Sequence, residues 1–236
     1  MKNPSLKKRF WKQALVKPED GGFAVLLDQY PLRSPGGSSL LLPTLSLAET
    51  VAAEWQAQVE KIDPAAMPMT RRANAAIDKV TPQLHEVVKL LAAYAESDLL
   101  CYRAVHPEDL HQRQAVSWDP LLDWAKSRWG AELVVTRGVM PVSQDETHVW
   151  KLTGPLYRMT PFQLTGFNDL VVISGSLVLA LAAIEPGADP EALFKMSQLD
   201  ESWQEEFWGV DEEATKARDQ KRRDFLDALR FFSASA

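Results

Sequence analysis

The patterning of apolar residues changes character near residue 45, and this change limits the fold more than any other feature of the chain. Before it, short apolar runs are separated by clusters of turn residues. The runs Phe10–Val16, Phe23–Asp28 and Leu40–Leu42 read as β-strands, punctuated by Pro18-Glu19-Asp20-Gly21-Gly22 and Pro35-Gly36-Gly37-Ser38. In the middle run Phe23, Val25 and Leu27 fall on one face with period two, and Ala24, Leu26 and Asp28 on the other. A small antiparallel sheet follows, although so few short strands are stable only with help from the rest of the chain.

After Pro43 the period becomes helical and the start signals are explicit. Ser46-Leu47-Ala48-Glu49 has the form of a capping box. Thr81-Pro82, Asp119-Pro120, Thr160-Pro161 and Asp189-Pro190 each pair an N-cap side chain with proline at the first helical position. Apolar stripes agree: Leu47, Val51, Trp55 and Val59; Leu84, Val87, Val88, Leu91 and Ala95; Leu121, Leu122, Ala125 and Trp129. Helices are expected over 46–61, 70–79, 82–96, 107–117, 120–129, 145–157, 161–174, 176–185, 190–207 and 211–231, with a short strand near Leu133–Thr136. The fold class is therefore α+β, a small antiparallel β-rich N-terminal domain (1–45) followed by a larger all-helical domain (46–236).

Composition narrows the function. A chain of 236 residues, 46% hydrophobic and 25% charged, buries a real core, which excludes disordered and collagen-like classes. Cys101 is the single cysteine, so no internal disulfide framework exists. A net charge of −6 argues against a nucleic-acid partner. The longest apolar run, Leu170–Ile184, is fifteen residues broken by Ser174, Gly175 and Ser176. A membrane span needs roughly 20, so this run reads as a buried helix and no membrane insertion is expected. The N-terminus, MKNPSLKKRFWK, is basic but lacks an apolar stretch and a cleavage site, and reads as a solvated tail rather than a secretory signal.

Motifs for chemistry are sparse. His106 and His111 stand five apart, about 140° around a helix, with no accompanying ligand pattern, so no metal is expected. Neither a phosphate-binding loop nor a dinucleotide fingerprint occurs, so no cofactor is expected. Ser174-Gly175-Ser176 lies inside the apolar run and reads as a helix junction, and Cys101 as a small buried hydrophobe. The strongest feature is Leu199–Ala214, LDESWQEEFWGVDEEA, with seven carboxylates and no base. Acidic groups mixed with tryptophan suit a partner surface. Glu201 and Glu205, four apart, also admit an alternative, a hydrolase using paired carboxylates. Of the eight tryptophans, Trp11, Trp118 and Trp208 sit beside polar or turn residues and are the surface candidates. Arg71 and Arg72 begin a small-residue helix, where pairing with carboxylates such as Asp78 or the Asp98 region is the ordinary role.

Several stretches together carry a resemblance. They are RFWK (9–12), Leu27-Asp28 followed by Pro31-Leu32-Arg33-Ser34-Pro35, and PT…LA…EW..Q (43–58). With them go MP.TR.AN.AID.V (67–80), YA..DLLCYRA (94–104), RQ…WDPLL.WA (113–125) and LDE.WQ.E.WG.D.EA (199–214). In this order, over nearly the whole chain, they resemble the assembly chaperones of ATP synthase that bind the alpha subunit of its catalytic head. The resemblance implies a non-enzymatic role: the unassembled alpha subunit is held, and kept from aggregating, until a beta subunit replaces the chaperone. Glu201, Asp200, Gln204, Glu205, Trp208, Asp211 and Arg71 are the candidate partner-binding residues, with no catalytic set. The expected protein is monomeric when free and cytoplasmic in a bacterium, or in the mitochondrial matrix if a targeting segment has been removed.

Overall fold

The run at 22–27 becomes the central strand of a four-stranded antiparallel sheet in the computed structural model, which describes residues 8–209 and 211–236. The basic tail ahead of Lys8 thus lies outside the described residues. Strand β1 (Ala14–Glu19) pairs with β2 (Gly22–Leu27), which pairs in turn with β3 (Tyr30–Pro31) and, further back along its length, with β4 (Leu41–Leu42). The first strand starts four residues later than Phe10, because other groups claim the backbone there. Asp28, at φ +56°, turns its carboxylate onto the amides of Lys12 and Gln13, both at 3.0 Å. The Gln56 side chain takes the Ala14 amide at 2.8 Å.

Val25 and Leu27 point inward with Leu40 and Leu42, and α1 (Leu45–Gln56) lays Leu47, Ala48 and Val51 over them. Trp11 is buried in this core rather than on the surface, edge-on to the partly buried Trp55 at 5.2 Å. The cap of α1 is Thr44, not Ser46: its hydroxyl oxygen accepts from the Leu47 amide at 3.2 Å and its proton goes to the Ala234 carbonyl. Helix α1 ends before Val59, which is exposed. The next helix, α2 (Pro68–Ala75), has no cap of its own. Glu54 of α1 supplies one, accepting from the Met69 and Thr70 amides at 2.7 and 2.8 Å and from the Thr70 hydroxyl at 2.7 Å. Asp78, in the π-turn 76–80 that follows, takes the Ser34 hydroxyl at 2.6 Å and the Gly36 amide at 2.8 Å rather than Arg71.

These elements form one compact unit, which runs from the first described residue to Leu84 and takes in Thr160–Gly166 and Arg230–Ala236. Its limit at residue 84 differs from the compositional break at residue 45. The reason is that short strands leave an apolar face open, and α1 closes it.

The second unit comprises His85–Met159 and Phe167–Leu229. It holds most of α3 (Leu84–Glu96), then β5 (Tyr102–Arg103), α4 (Glu108–Trp129), β6 (Thr136–Arg137) and α5 (Glu146–Thr153). The expected strand near 133–136 is β6, paired in parallel with β5. Helix α4 replaces the two helices expected over 107–129. Asp119 is not a cap, because its carboxylate binds Arg103 at 2.7 Å, and Pro120 sits inside the continuous helix. Arg103 also lies over the Trp118 ring at 5.0 Å. Trp118, expected on the surface, is fully buried, with its Nε1–H donating to the Met196 carbonyl at 2.9 Å. Thr81 forms no cap either: its hydroxyl donates to Ala76.

The apolar run at 170–184 folds as two helices, α6 (Pro161–Ser174) and α7 (Leu177–Ala183), broken at Gly175 with φ +70°. Thr160 and Gln163 cap α6 reciprocally, and Ser176 caps α7, its Oγ accepting from the Leu179 amide at 3.0 Å. Asp98, fully buried, accepts from the Val178 amide at 3.1 Å and from Leu100 at 3.0 Å. Burial pushes this carboxyl up to about 6, against the pull of the Ser176 hydroxyl and of the Val178, Leu100 and Leu177 amides. The chain closes with α8 (Pro190–Ser197), capped by Asp189 as expected, α9 (Leu199–Trp208) and α10 (Glu212–Ala234). No helix among the described residues is long and apolar enough to cross a membrane.

A raised folded-state pKa gives Asp98 a contribution that is complete below the unfolded value and lost as pH rises through about 6. Lowering the pH from about 7 to about 5 should therefore restore about 1 kcal/mol through this group. Asp98→Asn does not titrate, so the stability difference between parent and variant should grow in the parent's favour by that amount. Urea unfolding of both proteins at the two pH values checks this, and a pH-independent difference refutes it.

Candidate functional site

The acidic stretch is built on α9, and the expected helix 190–207 is interrupted just before it. Gln198 leaves helical geometry, at φ −108° and ψ 21°, so α9 starts in a new direction. Leu199 and Trp203 are its buried residues. Three contacts hold it to its neighbours. Gln114 of α4 donates to the Asp200 carboxylate at 2.7 Å while its own oxygen accepts the Ala104 amide, also at 2.7 Å. Arg113 pairs with Glu206 at 2.6 Å and stacks over the Trp203 ring at 4.5 Å. Glu205 is ion-paired with Arg218 of α10.

These bonds sort the helix into two stripes. Asp200, Trp203 and Glu206, three apart, form the anchored one, with Glu205 held separately. Glu201, Gln204 and Trp208 form the open one. Glu201 and Gln204 are exposed, Trp208 is 82% exposed, and Glu201 has no ion-pair partner among the described residues. Phe207 is 65% exposed beside it, packed on Trp203 at 4.9 Å. Gly209, at φ +86°, ends the helix, its amide donating a hydrogen bond to the Glu205 carbonyl at 3.0 Å. Asp211 then caps α10, accepting from the Glu213 amide at 2.7 Å and the Ala214 amide at 3.3 Å.

Six of the seven candidates from sequence thus share one segment, but with different duties. Asp200, Glu205 and Asp211 are engaged within the protein, whereas Glu201, Gln204 and Trp208 face outward. Arg71 is exposed on α2 and belongs to the first unit. Phe207, exposed at the end of α9, is not among the seven candidates, and neither are Arg113, Gln114 and Arg218, whose roles depend on contacts between helices.

A groove of about 520 Å³ runs between α8, α9 and α10, lined by Phe194, Ser202, Glu205, Glu206, Arg218 and Arg222 among others. Glu201 is not in its lining, and Glu205 and Glu206 are both held by arginines. This groove therefore does not bring Glu201 and Glu205 together as the paired-carboxylate alternative would need. Cys101 is buried, and burial together with the Asp98 charge pushes its thiol up to about 12, which leaves no thiolate for nucleophilic work. No group of three or more metal-ligating side chains occurs among the described residues.

Comparison with known proteins adds to this geometry. The family model described as ATP12 chaperone protein matches residues 8–126. The crystal structure of Atp12 from Paracoccus denitrificans superposes with a TM-score of 0.93 at 46% identity, covering 97% of this chain and 98% of that one. A mutant of the Paracoccus denitrificans Atp12p gives the same TM-score and coverage at 45% identity. The mitochondrial protein atp12 of Schizosaccharomyces pombe is 24% identical over 221 residues, 88% of this chain and 75% of the relative.

The anchoring of α9 has a measurable consequence. Gln114→Leu keeps the volume but strands the Ala104 amide and the Asp200 carboxylate, and should cost about 1–3 kcal/mol. An unchanged unfolding midpoint in urea would show that the amide of Gln114 does not hold α9.

Proposed function

The chain belongs to the ATP12 chaperone family, and from that premise we propose that it assists assembly of the ATP synthase catalytic head by holding the unassembled alpha subunit until a beta subunit takes its place. The observation that carries this reading is the open stripe of α9. Trp208 ends the stripe that begins at Glu201, a carboxylate with no ion-pair partner among the described residues, and Phe207 is exposed next to Trp208. An assembly subunit exposes the apolar surface it later buries, and such a surface aggregates unless covered. Tryptophan supplies contact area at the centre of an interface, and an unpaired carboxylate steers and aligns a basic partner. A contact of this mixed kind is also easier to exchange for the permanent one than a wholly apolar contact.

In this reading Glu201, Gln204, Phe207 and Trp208 touch the client, while Asp200, Glu205 and Asp211 act through the shape they hold. Arg71, exposed on the first unit, is a second contact. The bacterial relatives favour work in a bacterial cytoplasm, and in this reading the chaperone is monomeric when free.

Coexpression with an alpha subunit, scored as soluble alpha subunit recovered with the chaperone, tests the proposal. Trp208→Ala should weaken the complex by about 2 kcal/mol, roughly 30-fold. Glu201→Ala should do so by a comparable amount, with Glu201→Asp between it and the parent. All three should keep the parent's circular dichroism and melting temperature, since exposed helix positions change stability by about 0.5 kcal/mol or less. Glu213→Ala, at the start of α10, is the control. If the Trp208 and Glu201 variants protect the alpha subunit as well as the parent does, α9 is not the client surface.

A further inference from the structure

The extended segment that leads into β1 divides its side chains by period two. Arg9 and Trp11 turn inward. The Arg9 guanidinium lies over the Trp11 ring at 5.3 Å and donates to the carbonyls of Trp11, Lys12, Gln56 and Gln58. Lys8, Phe10 and Lys12 turn outward. Phe10 is 67% exposed, and its ring meets that of Tyr30, itself 58% exposed, at 6.3 Å. Lys61 is joined to Lys8 by an antiparallel backbone bridge. Lys8, Lys12 and Lys61 are exposed and take part in none of the ion pairs among the described residues. Of the carboxylates close by in the chain pairing, Asp28 is turned onto the backbone amides of Lys12 and Gln13, which leaves Glu60 exposed. In sequence, six basic residues precede the first carboxylate, Glu19.

We propose that this strip is a peripheral docking surface for an anionic lipid bilayer. Its chemistry separates it from a site for an acidic polypeptide. Recognition of carboxylates in fixed geometry uses the arginine fork, and the one arginine of the segment has its guanidinium committed to four backbone carbonyls. What remains are lysines, point charges that gain from a negative surface without needing a fixed partner. Beside them protrude Tyr30, whose amphipathic ring suits the headgroup level, and Phe10, an apolar ring that suits the boundary just below it. The contact is adsorption, not insertion, and it uses none of the α9 residues assigned to the client.

Sedimentation of the full chain with phospholipid vesicles tests the proposal. One set is pure phosphatidylcholine, the other contains about 30% phosphatidylglycerol. Binding should appear only with the anionic vesicles and should be lost between about 0.05 M and about 0.5 M salt. Each lysine near such a surface is worth about five-fold in affinity, so Lys8→Gln combined with Lys12→Gln should weaken binding by about 25-fold. Phe10→Ser should weaken binding while leaving the salt dependence in place. The lysine variant changes only exposed side chains, and an unchanged melting temperature verifies its fold. Equal binding to neutral vesicles, or full binding by the double lysine variant, overturns the proposal. So does a protein that ignores both vesicle types yet binds poly-L-glutamate through the same lysines, since the strip is then a site for an acidic polypeptide.

Discussion

A helix that begins inside a protein needs acceptors for its first amides, and in this chain that need falls on Asp98. The run Leu170–Ile184 is too apolar for the surface, so it breaks at Gly175 and α7 starts in the interior. Ser176 supplies one acceptor locally; Asp98, eighty positions away in sequence, supplies the other. A carboxylate is a costly group to bury, and its raised pKa reflects that cost, but the amides around it have no water to turn to. From this point the polar connections of the second unit continue outward. The turn after Asp98 leads to Arg103, which binds Asp119 and covers Trp118, and Trp118 in turn bonds the last turn of α8, just ahead of α9.

The acidic helix shows how alike residues acquire unlike duties. Asp200, Glu201, Glu205 and Glu206 are chemically near-equivalent in the sequence, yet only Glu201 is left without an ion pair or an amide donor. Ion pairs with exposed partners are worth little to stability, so their main effect here is directional. They orient α9 so that its end carries two aromatic rings into solvent. Those rings are the surface we propose meets the client.

The first unit meets its polar demands by borrowing across elements. Glu54 caps a helix that has no cap of its own, Asp78 closes the Pro35-Gly36-Gly37 loop, and Arg9 satisfies carbonyls at the end of α1. Gly36 is required by that closure: a side chain there would meet the Asp78 carboxylate at 2.7 Å. Lys8, Lys12 and Lys61 stay outside the ion pairs among the described residues.

Much of the secondary structure was legible because its causes are local. Period-two alternation at 22–27, the Thr160-Pro161 and Asp189-Pro190 caps and the Ser-Gly-Ser junction each depend on neighbours within a few residues, and each appears as expected. Resemblance, rather than pattern, carried the family. Where the expectations failed, a distant group had changed the local balance. Arg103 took Asp119 and left Pro120 inside a helix; Asp28 and Gln56 took the amides of a supposed strand; Met196 gave Trp118 a buried partner. The sequence by itself determined that an acidic, tryptophan-bearing helix would exist near the C-terminus, because composition and helical spacing are local properties. Which of its carboxylates stay free was decided only by the tertiary structure, because that depends on Arg113, Gln114 and Arg218 arriving from other helices.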